Sequence, residues 1–264
     1  MKISELKKEA KTKLAGKWPL AIEINLLHLV ITLCISYIAN SIQGIVGAIV
    51  ALVLGIITIP ISYGLTVSML KLSRNEEIKI ADFIVIGFKN FKRALFLSLS
   101  VFVRMLVPII LIAFAGTLSI ISAFANNISS ADESAGIVSI ISLVLSVGSM
   151  IWLIYKVLAY ALSTYILIDD EEAKSKDAIS KSCELMKGNK LKFVGLVLSF
   201  FGWFLLCGLL AGFAEIANPT FGMIVMYGLS LLLTPYITFT EINFYEDLAG
   251  ISEVKIETPE EPMA

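Results

Sequence analysis

Long apolar runs alternate with short polar stretches along this chain. A helix needs about 20 apolar residues to cross the hydrocarbon core of a bilayer. Six runs meet that length: 18–39, 42–70, 94–121, a longer one within 136–168, 193–217 and 221–239. Only residues 40–43 join the first two, and the turn Asn218-Pro219-Thr220 joins the last two, so each pair is expected to form an antiparallel hairpin. The run within 136–168 exceeds the bilayer thickness and must tilt, break or protrude, at 136–146 or at 166–168.

A second pattern precedes each hairpin. Apolar residues recur at helical spacing in Ile3, Leu6, Ala10 and Leu14, again in Ile80, Phe83, Ile84, Gly87 and Phe88, and again in Ile179, Cys183 and Met186. Each stretch then meets a residue that tolerates the left-handed conformation ending a helix: Gly16, Asn90 and Gly188. The expected fold is all-α and polytopic. Six transmembrane helices form three hairpins, each preceded by a cytosolic interfacial amphipathic helix whose apolar stripe lies in the interface while its lysines face lipid phosphates. Residues 1–245 then make one transmembrane domain of approximate repeats 1–70, 78–168 and 174–240, and residues 246–264 an acidic, disordered cytosolic tail.

Charge gives this reading an orientation. The chain carries 21 Lys and Arg. Six lie in 1–17, six in 71–93, six in 174–192 and one, Lys255, in the tail; only Arg104 and Lys156 fall within apolar runs. The alternate loops 40–43, 122–135 and 218–220 carry none. By the positive-inside rule the lysine-bearing loops and both ends face the cytosol, in a cytoplasmic (inner) cell membrane. Composition agrees: 57% of the 264 residues are hydrophobic and 16% charged, too few charges to coat a water-soluble domain. The net charge of −1 argues against a nucleic-acid partner. The basic N-terminal stretch leads into its apolar run without a small-residue cleavage site, as a retained helix does.

Candidate chemistry is sparse. Three scattered cysteines and one histidine offer no metal-ligand spacing, and phosphate-binding glycine loops, HExxH and nucleophile elbows are absent. No catalytic residue, cofactor or metal is expected. Ionisable groups inside a bilayer are costly and are the default functional candidates. Here they are Glu23, His28, Arg104 and Lys156. They either line a polar pathway or headgroup site, or they form structural ion pairs or snorkel. Pro60, Pro108 and Pro235 can each kink an apolar helix. Gly208-x-x-x-Gly212 permits close helix packing, and Gly44, Gly47, Gly55 and Gly64 suggest that the second helix is buried among neighbours. The run Asp169-Asp170-Glu171-Glu172 is a solvated connection or a cation-attracting cluster. Asn127-Ile128-Ser129 matches a glycosylation sequon.

Several stretches resemble a known family. The run Ala178-Ile179-Ser180-Lys181-Ser182, then Leu185-Met186-Lys187-Gly188-Asn189-Lys190 and Phe200-Phe201-Gly202-Trp203, is similar to the bacterial integral-membrane family called domain of unknown function 975. Leu14-Ala15-Gly16-Lys17-Trp18 resembles its opening, and Thr234-Pro235-Tyr236, Thr240 and Phe244-Tyr245 its closing pattern. The resemblance implies a Gram-positive cytoplasmic membrane protein and carries no catalytic residues over. Lys187, Lys190, Lys192, Pro235 and Tyr236 are expected to form a collar at headgroup level on the cytosolic side. The functional expectation is a non-enzymatic module that binds lipid, a hydrophobic peptide or a membrane partner, with peptide immunity as one version. The alternative is a small transporter with a polar pathway near Arg104 and Lys156.

Overall fold

The computed structural model describes residues 1–128 and 133–251, and side chains outside 125–135. Among the described residues all regular structure is helical: α1 (Ile3–Leu14), α2 (Trp18–Ser41), α3 (Gly44–Ser73), α4 (Asp82–Lys89), α5 (Phe91–Ile128), α6 (Glu133–Tyr160), α7 (Ser163–Asp169), α8 (Ser175–Leu185), α9 (Lys190–Leu198), α10 (Phe201–Ala217) and α11 (Pro219–Ala249). Six helical stretches are long and apolar enough to cross a membrane, with α6 and α7 counting as one and α9 and α10 as another. In each, only 11–17% of the most apolar window is buried within the protein. Apolar surface on that scale is covered only by lipid.

The chain divides into two compact units. The first comprises residues 1–91 and those from Leu191 onward; the second is Lys92–Lys190.

In the first unit α2 packs on α3, α10 on α11, and α11 also touches α2 and α3. The core sits at the lysine-bearing end. In α3 the buried residues run from Pro60 to Ser73, with Gly47 the one exception nearer the start of the helix, and in α11 they cluster from Pro235 to Glu246. Gly64 of α3 and Gly87 of α4 meet there so closely that a Cβ on Gly64 would overlap the Phe83 carbonyl, and one on Gly87 would overlap that of Pro60. Gly44 and Gly55 have open space around them, so the expectation of burial holds for the half of the helix that faces α4 and not for the rest.

In the second unit α8 packs on α6 and α7. The two long helices α5 and α6 share a serine ladder: Ser119 Oγ donates to Ser142 Oγ at 2.8 Å, and the Ser122 and Ser139 hydroxyls lie 2.6 Å apart. Such hydroxyl pairs join helices where hydrophobic burial gives no net drive.

The three short helices are built alike. In each, an acid in the first turn accepts a hydrogen bond from the backbone N–H three residues earlier: Glu5 from Lys2 at 2.6 Å, Asp82 from Lys79 at 2.8 Å and Asp177 from Lys174 at 3.3 Å. This satisfies an orphan donor and places negative charge at the helix N-terminus. The residue after the acid is fully buried: Leu6, Phe83 or Ala178. The residue five after the acid is small and buried: Ala10, Gly87 or Ser182. Each short helix packs on a membrane-length stretch: α4 on α3, α8 on α7 at the end of the fourth stretch, and α1 on α11 at the far end of the chain.

Several expectations change. The stripe Leu6, Ala10 and Leu14 is completely buried, so α1 spends its apolar face on the protein and not on lipid. Gly16 and Gly188 do adopt the left-handed conformation, with φ of 77° and 83°. Asn90, with φ of −99°, does not. The chain there runs straight into α5, and the Asn90 side-chain amide donates back to the Ile86 carbonyl at 3.0 Å. None of the three prolines interrupts its helix. The interruptions fall at Ala161–Leu162 and Ser199–Phe200, where there is no proline. Both Gly208 and Gly212 face open space; on that helix the buried residues are Cys207 and Ala211. The acidic stretch expected to be disordered from 246 onward starts later, because α11 continues to Ala249 before Gly250 ends it at φ 71°. The remainder of that tail, 252–264, and Ser129 of the sequon lie outside the described residues.

Candidate functional site

The two helix breaks free backbone groups, and the short helices satisfy them. At the α6–α7 break the Ser182 hydroxyl of α8 donates to the Ala159 carbonyl at 2.8 Å and accepts from the Leu162 N–H at 3.2 Å. At the α9–α10 break the Lys7 ammonium of α1 donates to the Ser199 carbonyl at 2.8 Å and lies 3.9 Å from the centre of the Phe200 ring. Burial, and secondarily the neighbouring charge of Lys11, push the Lys7 ammonium below its ordinary value. Phe200 in turn meets Tyr236 edge-on, with ring centres 5.3 Å apart.

Beside this contact lies an apolar groove of about 290 Å³ in the first unit. Trp18, Trp203, Leu206, Leu233 and Tyr236 contribute to its walls, and Lys11 is its one cationic lining residue. The Lys11 ammonium lies 5.6 Å from the Tyr236 ring centre and makes no ion pair among the described residues. Lys11 thus places at the groove a cation that makes no ion pair among the described residues, with Lys7, one helical turn away, bound to the Ser199 carbonyl.

Lys13 of α1, and Lys17 just beyond it, turn inward instead, while Lys8 is exposed. Lys13 Nζ reaches Glu246 at 2.8 Å, Asn243 at 2.9 Å and Glu9 at 3.1 Å. Arg74 Nε reaches the second oxygen of Glu246 at 3.0 Å, and Asn243 Nδ2 donates to the Leu6 carbonyl at 3.1 Å. Burial disfavours the Lys13 ammonium, but the hydrogen bonds and charges of Glu246 and Glu9 outweigh it and raise its pKa above the ordinary 10.5. Lys17 binds the Leu72 carbonyl at 2.6 Å, satisfying an orphan acceptor at the end of α3.

Of the predicted intramembrane group, Glu23 and His28 lie on α2 in the first unit, and Arg104 on α5 and Lys156 on α6 in the second. Glu23 is exposed. Arg104 donates to the Ser100 carbonyl on its own helix at 2.9 Å, and Lys156 to the Tyr160 hydroxyl one turn on at 3.2 Å. His28 meets Phe83 edge-on at 6.1 Å and lines a small pocket of about 130 Å³ with Asn25, Tyr227, Ser230 and Thr234. Of these partners, Tyr227, Ser230 and Thr234 of α11 were not singled out from the sequence, although they recur at helical spacing.

The predicted collar divides. Lys190 stacks over the Tyr155 ring at 3.2 Å within the second unit, whereas Lys192 binds Asp247 at 3.2 Å within the first. Lys187 is exposed, Pro235 is buried, and Tyr236 belongs to the groove. The acidic run 169–172 holds no metal cluster among the described residues. Asp170 Oδ1 accepts from the backbone N–H groups of Glu172 and Ala173 at 3.1 and 3.0 Å, ordering the connection.

These features define an all-helical, multi-pass membrane protein in which short polar helices clasp the broken ends of apolar ones. The chain matches over residues 1–252 the model of the family described as Protein of unknown function (DUF975), and it belongs to that family. No curated protein and no solved structure matches it.

Proposed function

We propose that the protein is a non-enzymatic module of a bacterial cytoplasmic membrane that holds an anionic lipid by its acyl chain and headgroup. Its lysine-bearing loops face the cytosol, and its three units of short helix plus hairpin are copies of one repeat. The shared Lys-x-x-acid caps and small packing residues of α1, α4 and α8 support the repeat. The observation that carries the lipid reading is the apolar groove with Lys11 at its edge and Lys7 one turn away. An acyl chain suits the Trp203 and Leu233 walls, and an anionic headgroup suits Lys11 and the neighbouring Lys7, neither of which has a carboxylate partner among the described residues. Protection against membrane-active peptides is the physiological form of this activity that a binding module offers.

Two of the three tryptophans, Trp18 and Trp203, line the groove and report on it directly. In a Trp152→Phe background, brominated phosphatidylglycerol is expected to quench their emission at a lower mole fraction than brominated phosphatidylcholine does. Lys11→Gln is expected to remove that difference. Equal quenching by the two lipids means that only ordinary boundary lipid fills the groove, and the reading fails.

One observation favours transport instead. A pocket within membrane-crossing helices is lined by Asn25, His28, Tyr227, Ser230 and Thr234 beside Leu29 and Leu231, and polar side chains at that depth mark solute paths. On that reading His28→Leu abolishes solute flux in proteoliposomes while leaving the protein folded.

A further inference from the structure

The second unit contains a separate basic cavity of about 460 Å³. Four cations line it: Lys92 and Arg93 at the start of α5, and Lys174 and Lys176 at the start of α8. Glu171 is the single carboxylate among its lining residues. Phe96 and Leu167 form apolar wall, and Ser100 and Ser175 add hydroxyls.

The cavity is held in shape by its own residues. The Arg93 guanidinium donates to the carbonyls of Leu167 at 2.6 Å and Asp170 at 2.8 Å, and also to that of Glu171. These partners are neutral, so the fork is fixed in place while its charge is not cancelled. Among the described residues Lys92, Lys174 and Lys176 make no ion pair. Of the neighbouring acids, Asp170 orders its own turn and Asp177 caps α8. α8 begins at Ser175, on the same wall. Four cations against one carboxylate, in a concave site with an immobilised guanidinium, match a phosphate group more closely than a carboxylate, because a phosphate offers several acceptor oxygens and a higher charge.

We propose that this cavity is a phosphate-binding site that takes either the headgroup of an acidic phospholipid or a free phosphate anion. It shares no residue with the Lys11 groove.

The test uses the full chain in a neutral detergent, with binding read by isothermal calorimetry and thermal shift. The probes are dihexanoyl-phosphatidylglycerol and inorganic pyrophosphate, with dihexanoyl-phosphatidylcholine as the neutral-headgroup comparison. Phosphatidylglycerol binding that persists in Lys11→Gln but weakens in the paired Lys92→Gln and Lys174→Gln variant supports the site and assigns it to lipid; pyrophosphate binding alone supports it and assigns it to a soluble anion; both together support the shared chemistry. The pair Lys92→Gln and Lys174→Gln together is expected to weaken binding by about thirtyfold, from the loss of two lysines near a phosphate. Lys11→Gln is expected to leave pyrophosphate binding unchanged, which separates failure here from failure at the groove. Arg93 is left intact because it pins the loop. A wild-type affinity that falls as KCl is raised supports the site without any variant. The proposal is overturned if neither anion binds, if phosphatidylcholine binds as well as phosphatidylglycerol, if affinity ignores salt, or if the folded lysine variant binds like wild type.

Discussion

Lys13 near one end of the chain and Glu246 near the other meet at 2.8 Å, with side chains only 17% and 7% exposed. Glu246 uses its other carboxylate oxygen for Arg74. One carboxylate therefore ties α1 and the end of α3 to α11. Removing it leaves Lys13 with Glu9 alone and takes this carboxylate from Arg74, at about 1–3 kcal/mol for a charged hydrogen bond lost from a partly buried site. Glu246→Ala is expected to lower the unfolding temperature in detergent and to expose α1 to limited proteolysis. An unchanged melt would show that solvent already screens the cluster.

The same pair predicts a pH dependence. The Lys13 pKa is raised in the folded protein. Its contribution is therefore complete below the ordinary lysine value of 10.5 and is lost as pH climbs through the higher folded value. Melting curves from pH 8 upward should diverge between wild type and Lys13→Arg only in the alkaline range, because arginine stays charged there. Divergence near neutrality would contradict the assignment.

Gly64 and Gly87 set the distance between α3 and α4. A methyl at either position meets backbone, which cannot swing aside as a side chain can. Gly64→Ala and Gly87→Ala should each destabilise by about 1–3 kcal/mol or more, in the manner of overpacking. Gly55→Ala, with open space around its Cβ, should be neutral or slightly stabilising. Thermal denaturation of the three variants decides this.

Ser182 is completely buried and serves both backbone groups at the α6–α7 break. Ser182→Ala leaves the Ala159 carbonyl and the Leu162 N–H without their partner, at about 1–3 kcal/mol for a buried polar group. Faster amide exchange at Leu162 would be the direct sign. Unchanged exchange would mean that another donor and acceptor fill in.

The candidate sites were legible to different degrees. Lys187, Lys190, Lys192, Pro235 and Tyr236 form one band in the sequence, yet Lys190 and Lys192 engage different units, because side chains two residues apart on a helix point in different directions. Glu246 was read as the first residue of a solvated tail because apolar content falls there, while its ion pairs with Lys13 and Arg74 come from elements more than 170 residues away. A local signal did exist for the short helices. Lys2-x-x-Glu5, Lys79-x-x-Asp82 and Lys174-x-x-Asp177 share one spacing, and each has a small residue five positions after the acid.

From the sequence alone come the six apolar stretches, the segregation of the cations, three short helices and the family, because hydropathy and periodicity are local properties that a bilayer reads residue by residue. Tertiary structure alone decided that the stripe of α1 is covered by protein, that two membrane-crossing stretches break where there is no proline, and that Lys11 and Lys92 line cavities while Lys13 is buried in an ion pair. Those outcomes depend on which helix lies against which. No single segment encodes a contact whose two halves are separated along the chain.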